Sequence, residues 1–256
     1  MKYKLEFQTA DMHIREALGT GIPALDRLLD GGYERGLIHL FYGDSIFHDD
    51  FLRAAVWAQV SKENGGLESP VIIIDSSNMI DTVKLNDMAS EYSLEIETVL
   101  DNIFVSRAFN SSQTYDLIIH QLDKFLEHVP ARLLIIPGLP DLFNQEGYSS
   151  EKAQQITHMA ARLMARTLEY NLITLVSTSK YLLGRRNPSI GEALSSNAQI
   201  HIFVEPTPMR VSYTLRKHPS LPERIESRIK YRPGFGVTLP LQYYFDDKLS
   251  TTREHL

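Results

Sequence analysis

The stretch "GLIHLFYGDSIFHDDFL", residues 36–52, reads as a strand, a loop and the start of a helix. Its first half, "GLIHLFYG", is an apolar, β-rich run that ends at Gly43. A helical pattern follows from residue 49 to residue 63. Apolar strands that alternate with amphipathic helices are typical of a parallel sheet covered on both faces. This unit therefore predicts an α/β fold.

The alternation continues along the chain with the apolar runs "VIIID", "NIFVSRA", "RLLIIPGL" and "LITLVST". A helix is predicted over residues 149–170. The core stripe at helical spacing along it is Ile156, Met159, Ala160, Leu163, Met164 and Leu168. Later, "QIHIFVEP" and "RVSYTLRKH" are separated only by a turn around Pro206 and Pro208, which indicates antiparallel strands. We predict a doubly wound, mostly parallel sheet with antiparallel edge strands near the C-terminus.

Composition excludes several classes of protein. With 256 residues, 43% of them hydrophobic, the chain suits one globular core. A net charge of -6 leaves only a local patch for nucleic acid. The absence of cysteine excludes disulfides and thiolate metal sites. Three histidines on predicted helices, His120, His128 and His158, lack metal-site spacing, so we expect no metal. No apolar run approaches the ~20 residues of a membrane span, so we expect no membrane partner.

The loop after the first strand has the frame of a phosphate loop without its chemistry. In GxxxxGK[ST] the backbone amides cradle phosphates, the lysine supplies charge and the Ser/Thr holds magnesium. In this frame Gly43 is kept, whereas His48 stands at the second glycine, Asp49 at the lysine and Asp50 at the Ser/Thr. Exchanging the lysine for an aspartate replaces an attraction to phosphate by a repulsion. For unit charges about 4 Å apart at an effective dielectric of about 20, each interaction is about 4 kcal/mol. We therefore expect no triphosphate here.

The two aspartates also have a constructive interpretation. Carboxylates at the start of a helix accept its free N–H groups and complement its dipole. Either Asp49 or Asp50 then occupies the anion site internally. The alternative is an ordinary loop that leads into a capped helix. Both interpretations exclude ordinary ATP chemistry.

The stretches "GTGIPALDRLLDGGYERGLIHLFYG", "ENGGLESPVIIIDSSN" and "VSRAFNSSQTYDLIIHQL", with "HPSLPE" near the end, carry a resemblance. From about Phe7 to Val237 the chain resembles the archaeal RadA recombinase and its paralogues in the RecA-like ATPase family. The resemblance implies a RecA-like core over residues 21–240, with an N-terminal arm at 1–20 and a tail at 241–256. It also implies that the helix-hairpin-helix DNA-binding domain of full recombinases is missing.

The departures from the family fall on its catalytic positions. Ser77 corresponds to the catalytic glutamate, Pro137 to the magnesium-coordinating aspartate and Ser179 to the phosphate-sensing glutamine. Together with Asp49, they leave no phosphate charge partner, metal ligand or general base. The resemblance therefore implies a pseudo-ATPase that is not an enzyme and needs no cofactor.

The arm carries an assembly motif by the same resemblance. In the family an FxxA peptide adds a strand to the neighbouring subunit and buries its two anchor residues there. In "EFQTA", Phe7 and Ala10 match that motif. We expect the arm to dock on a recombinase, a paralogue or another copy of this chain. The alternative is that Phe7 folds back on its own core.

The second DNA-binding loop of the family corresponds to residues 179–197. Its positive patch consists of Lys180, Arg185 and Arg186, and Tyr181 is available to stack on an unpaired base. The first loop, residues 144–152, is poor in basic charge. Single-stranded DNA is thus a possible partner, and a solvated loop with chance arginines is an equal alternative.

The segment "RKHPSLPER" resembles the part of the family that covers the neighbouring subunit's ATP. Pro219 falls on the cap proline, and Lys217 stands where an acidic residue is usual. This chain could cap a partner's nucleotide, or the segment is only a hairpin turn.

The sequence therefore predicts an inactive recombinase paralogue that modulates filament assembly on single-stranded DNA in recombinational repair. One rival is an ATPase in which Asp49 and Asp50 hold a divalent metal. Another is a self-assembling scaffold of the KaiC type without a DNA role. We expect a cytoplasmic protein, or a nuclear one in a eukaryote.

Overall fold

A computed structural model describes residues 17–147, 149–179 and 188–230. Its strands are β1 Ala17–Leu18, β2 Tyr33–Glu34, β3 Ile38–Gly43, β4 Val71–Asp75, β5 Ile103–Arg107, β6 Leu133–Ile136, β7 Ile173–Ser179, β8 Ile200–Pro206, β9 Arg210–Lys217 and β10 Arg224–Ile229. Its helices are α1 Pro23–Leu29, α2 Phe47–Trp57, α3 Thr82–Glu91, α4 Ile96–Asp101, α5 Ser111–Asp116, α6 Leu122–His128, α7 Asp141–Gln145, α8 Ser150–Glu169 and α9 Pro188–Asn197. A π-helical turn, Leu117–Gln121, joins α5 to α6.

Among the described residues, eight strands form one sheet in the order β10-β9-β8-β3-β7-β6-β4-β5. From β8 to β5 the neighbouring strands are parallel, whereas β9 is antiparallel to both β8 and β10. A separate ribbon pairs β1 with β2. The predicted fold class is confirmed: a mostly parallel sheet with antiparallel strands near the C-terminal end.

Alternate residues of the central strands pack into two separate cores. Phe41 of β3 and Ile73 of β4 belong to one cluster of buried side chains. Their neighbours Leu40 and Ile72 belong to the other. Because successive side chains of a strand point to opposite faces, the sheet is buried on both sides. This explains why its strands are continuous apolar runs.

Two predicted helices differ in detail from the structure. The helix predicted over 49–63 runs from Phe47 to Trp57, and a separate 3₁₀ turn covers Lys62–Asn64. It begins earlier because the buried Phe47 ring packs on Phe41, with ring centroids 6.1 Å apart. In α8 the predicted core stripe is buried at Ile156, Met159, Ala160 and Leu163, but Leu168 is 55% exposed.

Some expectations fall outside the described residues. Phe7 and Ala10 of the arm lie there, as do Lys180, Tyr181, Arg185 and Arg186 of the second loop. The end of the predicted arm is described, and there Leu18 and Thr20 are buried. The domain boundaries themselves stay a prediction. In the described ranges, no helix combines the length and apolar character needed to cross a bilayer.

Candidate functional site

Gly43 ends β3 where the backbone of β8 approaches most closely. Its φ is +125°, and a Cβ atom there would lie 2.1 Å from the carbonyl oxygen of Val204. The next amide, that of Asp44, donates to the same oxygen at 3.1 Å. The glycine is therefore required by strand packing, whatever the loop binds.

The amides of the loop donate within the loop. The Ile46 N–H donates to the Asp44 carboxylate at 3.0 Å. The His48 N–H donates to the Ser45 carbonyl at 2.9 Å, and the Asp49 N–H donates to the Ile46 carbonyl at 3.3 Å. A phosphate cradle needs such amides pointing together at its ligand. Here three of these amides already donate to acceptors inside the loop.

Asp50 is a buried carboxylate with both oxygens hydrogen-bonded. The residue is 1% exposed. Its Oδ2 accepts the Tyr213 hydroxyl at 2.7 Å, and its Oδ1 accepts Arg228 Nη2 at 2.8 Å. Arg228 Nε also donates to the Tyr213 oxygen at 2.7 Å, which closes the cluster. We call these three residues the Asp50 cluster; it fastens α2 to β9 and β10.

The members of the Asp50 cluster shift one another's pKa values. Burial raises the pKa of Asp50, and the Arg228 charge and the two hydrogen bonds oppose that rise. Burial also raises the pKa of Tyr213, and the nearby Asp50 carboxylate adds to the rise. A buried carboxylate is tolerated only when it is paired and hydrogen-bonded, as it is here.

Asp49, in contrast, lies near the surface and pairs with a lysine from another helix. Lys84 Nζ of α3 lies 2.7 Å from Asp49 Oδ1, and the two side chains are 47% and 40% exposed. The neighbouring His48 has its pKa lowered by burial, against the opposing effects of Asp75 and Asp49. The Lys84 ammonium group thus brings a positive charge from α3 to the loop.

A polar cavity of about 720 Å³ opens between the loop and the start of α3. We call it the loop cavity. Its lining carries three carboxylates, from Asp44, Asp49 and Asp81, and one ammonium group, from Lys84. Within the described ranges, no three His, Asp or Glu side chains converge as a metal site.

The ends of β4 and β6 lie close together. The buried Asp75 carboxylate accepts the amides of Ser77 and Met79 at 3.1 and 3.0 Å and so shapes the turn after β4. Ser76 Oγ donates to the Pro137 carbonyl at 2.7 Å. A Cβ atom on Gly138 would lie 2.1 Å from Ser77 Oγ. Ser77 and Pro137 therefore lie close together, at the adjacent ends of β4 and β6. The Ser77 side chain offers a short hydroxyl there.

The remaining predicted positions have other neighbours. The backbone of Ser179 ends β7 opposite Gly43. Lys217 Nζ donates to the Ala198 carbonyl at 2.7 Å and the Ser195 carbonyl at 3.3 Å, so it caps the end of α9. Pro219 is exposed. The structure does not bring Lys217 into the loop cavity.

Sequence reasoning missed Lys84, Tyr213 and Arg228. Lys84 carried a weak signal, because it lies in the first turn of the helix that follows β4. Nothing in the sequence near the loop indicated Tyr213 or Arg228. They lie 163 and 178 residues from Asp50 along the chain.

Comparisons with known proteins agree with this architecture. The chain is 30% identical over 165 residues to the meiotic recombination protein DMC1/LIM15 homolog of Mus musculus, covering 62% of this chain and 48% of that protein. It is 26% identical over 201 residues to the meiotic recombination protein DMC1 homolog A of Oryza sativa subsp. japonica, covering 72% and 58%. The chain thus spans about half the length of the curated relatives it matches.

The protein-family model for Rad51 matches residues 14–184, which include β1 to β7 and the whole loop cavity. Since this match covers more than half of the 256 residues, the chain belongs to the Rad51 family.

Proposed function

We propose that this chain is a catalytically inactive paralogue of the RadA type within the Rad51 family. It associates with a recombinase or another paralogue and modulates filament assembly on single-stranded DNA in recombinational repair. It works in the compartment that holds the recombinase, the cytoplasm or a eukaryotic nucleus. The DMC1 relatives, named as meiotic recombination proteins, support the recombination setting.

The observation that carries the proposal is the Asp50 cluster. At the position where a phosphate loop holds magnesium by Ser/Thr, a carboxylate is buried against Tyr213 and Arg228. An arginine of this chain thereby pairs with a carboxylate in the first turn of α2. A magnesium ion at this position would have to displace Tyr213 or Arg228 from the carboxylate.

The residues of the loop do not fit a magnesium-bound triphosphate. Three amides donate inside the loop, and the lysine position carries the Asp49 carboxylate. The single lysine on the loop cavity, Lys84, already faces that carboxylate at 2.7 Å. The same contacts disfavour a metal between Asp49 and Asp50, because both Asp50 oxygens are taken.

Calorimetric titration with magnesium-ATP tests this part. We expect no binding at sub-millimolar ATP and no hydrolysis, with an active recombinase from the same organism as the positive control. Tight binding would overturn the proposal. Hydrolysis abolished by Asp49→Asn would instead favour the unconventional ATPase.

The assembly role is tested by light scattering coupled to size-exclusion chromatography. We expect the chain to co-elute with the recombinase of its own organism and Phe7→Glu to abolish the complex. Gln8→Glu is the matched control, because it adds the same charge between the two anchor positions of "EFQTA". Failure of the wild type to co-elute counts against the role.

The DNA role depends on the second loop. We expect weak, steeply salt-dependent binding of single-stranded DNA, lost on Arg185→Glu with Arg186→Glu. The control, Lys62→Glu with Lys124→Glu, makes the same charge change at the 3₁₀ turn and α6. An affinity that the loop variant leaves unchanged removes DNA contact from the proposal. Absent DNA binding together with stable homo-oligomers favours the scaffold.

A further inference from the structure

The first loop, residues 144–152, is fastened to the start of α5 by the carboxylate of Glu146. Its Oε1 accepts the Ser111 N–H at 2.8 Å, and its Oε2 accepts the Ser111 hydroxyl. Ser111 is the first residue of α5 and is 4% exposed. The free N–H groups at the start of a helix favour a negatively charged acceptor. Glu146 provides that acceptor from a position 35 residues further along the chain.

The same carboxylate holds Lys152, the one basic residue in the sequence of the first loop. Lys152 Nζ lies 3.2 Å from Glu146 Oε2 and donates to the Gly147 carbonyl at 3.2 Å. The side chains of Lys152 and Glu146 are 21% and 35% exposed. The dipole of α8 does not favour a cation in the first turn of that helix. The position of the ammonium group is therefore explained by Glu146 and by the Gly147 carbonyl.

Glu146 is charged in this arrangement. The two hydrogen bonds from Ser111 lower the pKa of Glu146, and Lys152 lowers it further. The carboxylate thus neutralises the positive charge of Lys152 while it binds the start of α5. We call Glu146, Ser111 and Lys152 the loop latch.

The first loop and the second loop, residues 179–197, lie at the same edge of the sheet. β6 and β7 are parallel neighbours, so their carboxyl ends lie side by side. The first loop follows β6 by way of α7, and the second loop begins at the end of β7. Because α8 returns from the carboxyl end of β6 to the amino end of β7, its first turn also lies at this edge. Lys152 is therefore on the side of the sheet from which the second loop emerges.

We propose that the loop latch keeps the first loop closed and withholds Lys152 from single-stranded DNA. This inference rests on the proposed DNA role of the second loop. While the latch is closed, a DNA phosphate has to compete with Glu146 for the Lys152 ammonium group. When the latch opens, Lys152 adds one phosphate contact to those of the second loop. The chain thus binds DNA more weakly than its basic residues would allow.

The chain contains a matched control for Glu146. Glu151 also belongs to the first loop, lies in the first turn of α8 and is exposed. No hydrogen bond or ion pair joins it to another described residue. Glu146→Ala and Glu151→Ala remove the same charge from the same loop, but only Glu146→Ala opens the latch. The fold tolerates Glu146→Ala, because Asn110 still caps α5 by accepting the Gln113 N–H at 2.8 Å.

Fluorescence anisotropy with a labelled oligothymidine, measured over a series of salt concentrations, tests the inference on the full chain. We expect Glu146→Ala to bind about two- to fivefold more tightly than Glu151→Ala, which is the range for one exposed ion pair. We also expect the slope of log K against log salt to steepen by about 0.7, which corresponds to one further phosphate contact. Adding Lys152→Gln to Glu146→Ala should remove both effects.

Hydrogen exchange of the Ser111 amide tests the latch without DNA. In the wild type this N–H donates to Glu146. We expect it to exchange on the order of tenfold faster in Glu146→Ala and at the wild-type rate in Glu151→Ala. Equal exchange in all three proteins would show that the latch does not form in solution, which overturns the inference.

The outcomes separate this inference from the proposed function. If the wild type binds DNA and both alanine variants bind equally more tightly, the inference fails and the DNA role stands. The same holds if the gain survives Lys152→Gln, since Lys152 is then not the group that the latch releases. If neither the wild type nor Glu146→Ala binds DNA, the DNA role fails together with the inference.

Discussion

At the scale of single residues, two adjacent aspartates have opposite energetic roles. Asp50 is buried and shares its charge with Arg228, whereas Asp49 makes an exposed pair with Lys84. Removing one partner of a buried pair typically costs about 3 to 5 kcal/mol, and an exposed pair contributes about 0 to 1 kcal/mol. The position in the fold, more than the residue type, sets the cost of a substitution.

We predict that Asp50→Asn lowers the free energy of unfolding by about 3 kcal/mol or more. The physical reason is that the half-buried Arg228 guanidinium loses its counter-charge. Urea unfolding followed by far-UV circular dichroism measures the change. Asp49→Asn, the matched control, loses at most about 1 kcal/mol. Equal losses in the two variants would show that the Asp50 cluster does not stabilise the fold.

His39 gives a prediction about pH. It is fully buried in β3, its Nε2 accepts the Glu34 N–H at 3.1 Å, and burial lowers its pKa to about 3. An unfolded histidine has a pKa of about 6.5, so the unfolded chain binds a proton that the folded chain excludes. The stability from neutral His39 is complete above pH about 6.5 and is lost as the pH falls toward 3.

Between pH 6.5 and 5 this loss amounts to about 2 kcal/mol. Urea midpoints at the two pH values should therefore lie closer together in His39→Gln than in the wild type, because the variant has no titrating ring at this position. His128→Gln makes the same substitution at an exposed histidine and serves as the control. A dependence as steep in His39→Gln as in the wild type would assign it to other groups.

At the scale of elements, β3 and β8 approach so closely at Gly43 that a side chain does not fit. Gly31 has nearly the same φ, +126° against +125°, but nothing lies within 4 Å of a Cβ atom there. Alanine at either position meets the same backbone strain, and only Gly43→Ala also meets the Val204 carbonyl. We predict that Gly43→Ala costs about 1 to 3 kcal/mol more than Gly31→Ala. Thermal unfolding of both variants measures the difference, and equal costs contradict it.

The sequence predicted the parallel strands well because their apolar runs reflect burial on both faces. It did not identify β10, whose six residues "RIESRI" include three charged ones and only two apolar ones. Two of its arginines are fixed by contacts far along the chain, with Leu28 and Asp50. The pattern of neighbouring residues does not indicate such long-range contacts. The early start of α2 has the same kind of cause, since the burial of Phe47 on Phe41 is a tertiary contact.

At the scale of the whole molecule, the expected lack of nucleotide binding has a thermal consequence. A protein that binds ATP with a Kd of 10 μM gains about 2.7 kcal/mol at 1 mM ATP. For a chain of this size that raises Tm by about 5 to 10 °C. We predict a shift below about 1 °C for this chain with magnesium and 1 mM ATP, measured by scanning fluorimetry. A shift of several degrees would contradict the prediction.

The candidate site was predictable only in part. The exchange of lysine for Asp49 is visible in the sequence. The expectation that one of the two aspartates caps α2 is wrong, because no side chain caps the start of that helix and Asp50 bonds to Tyr213 and Arg228 instead. Those residues become neighbours of Asp50 only after the sheet has closed. The pairing of Asp49 with Lys84 likewise depends on the packing of α3 against α2.

The Asp50 cluster also imposes an order on synthesis. Asp50 leaves the ribosome 178 residues before Arg228. At 5 to 20 residues per second, that interval is roughly 10 to 35 s. During it the Asp50 carboxylate lacks the counter-charge that Arg228 supplies, so burying it in the charged form is unfavourable. The contacts that join α2 to β9 and β10 can therefore form only after Arg228 has left the ribosome.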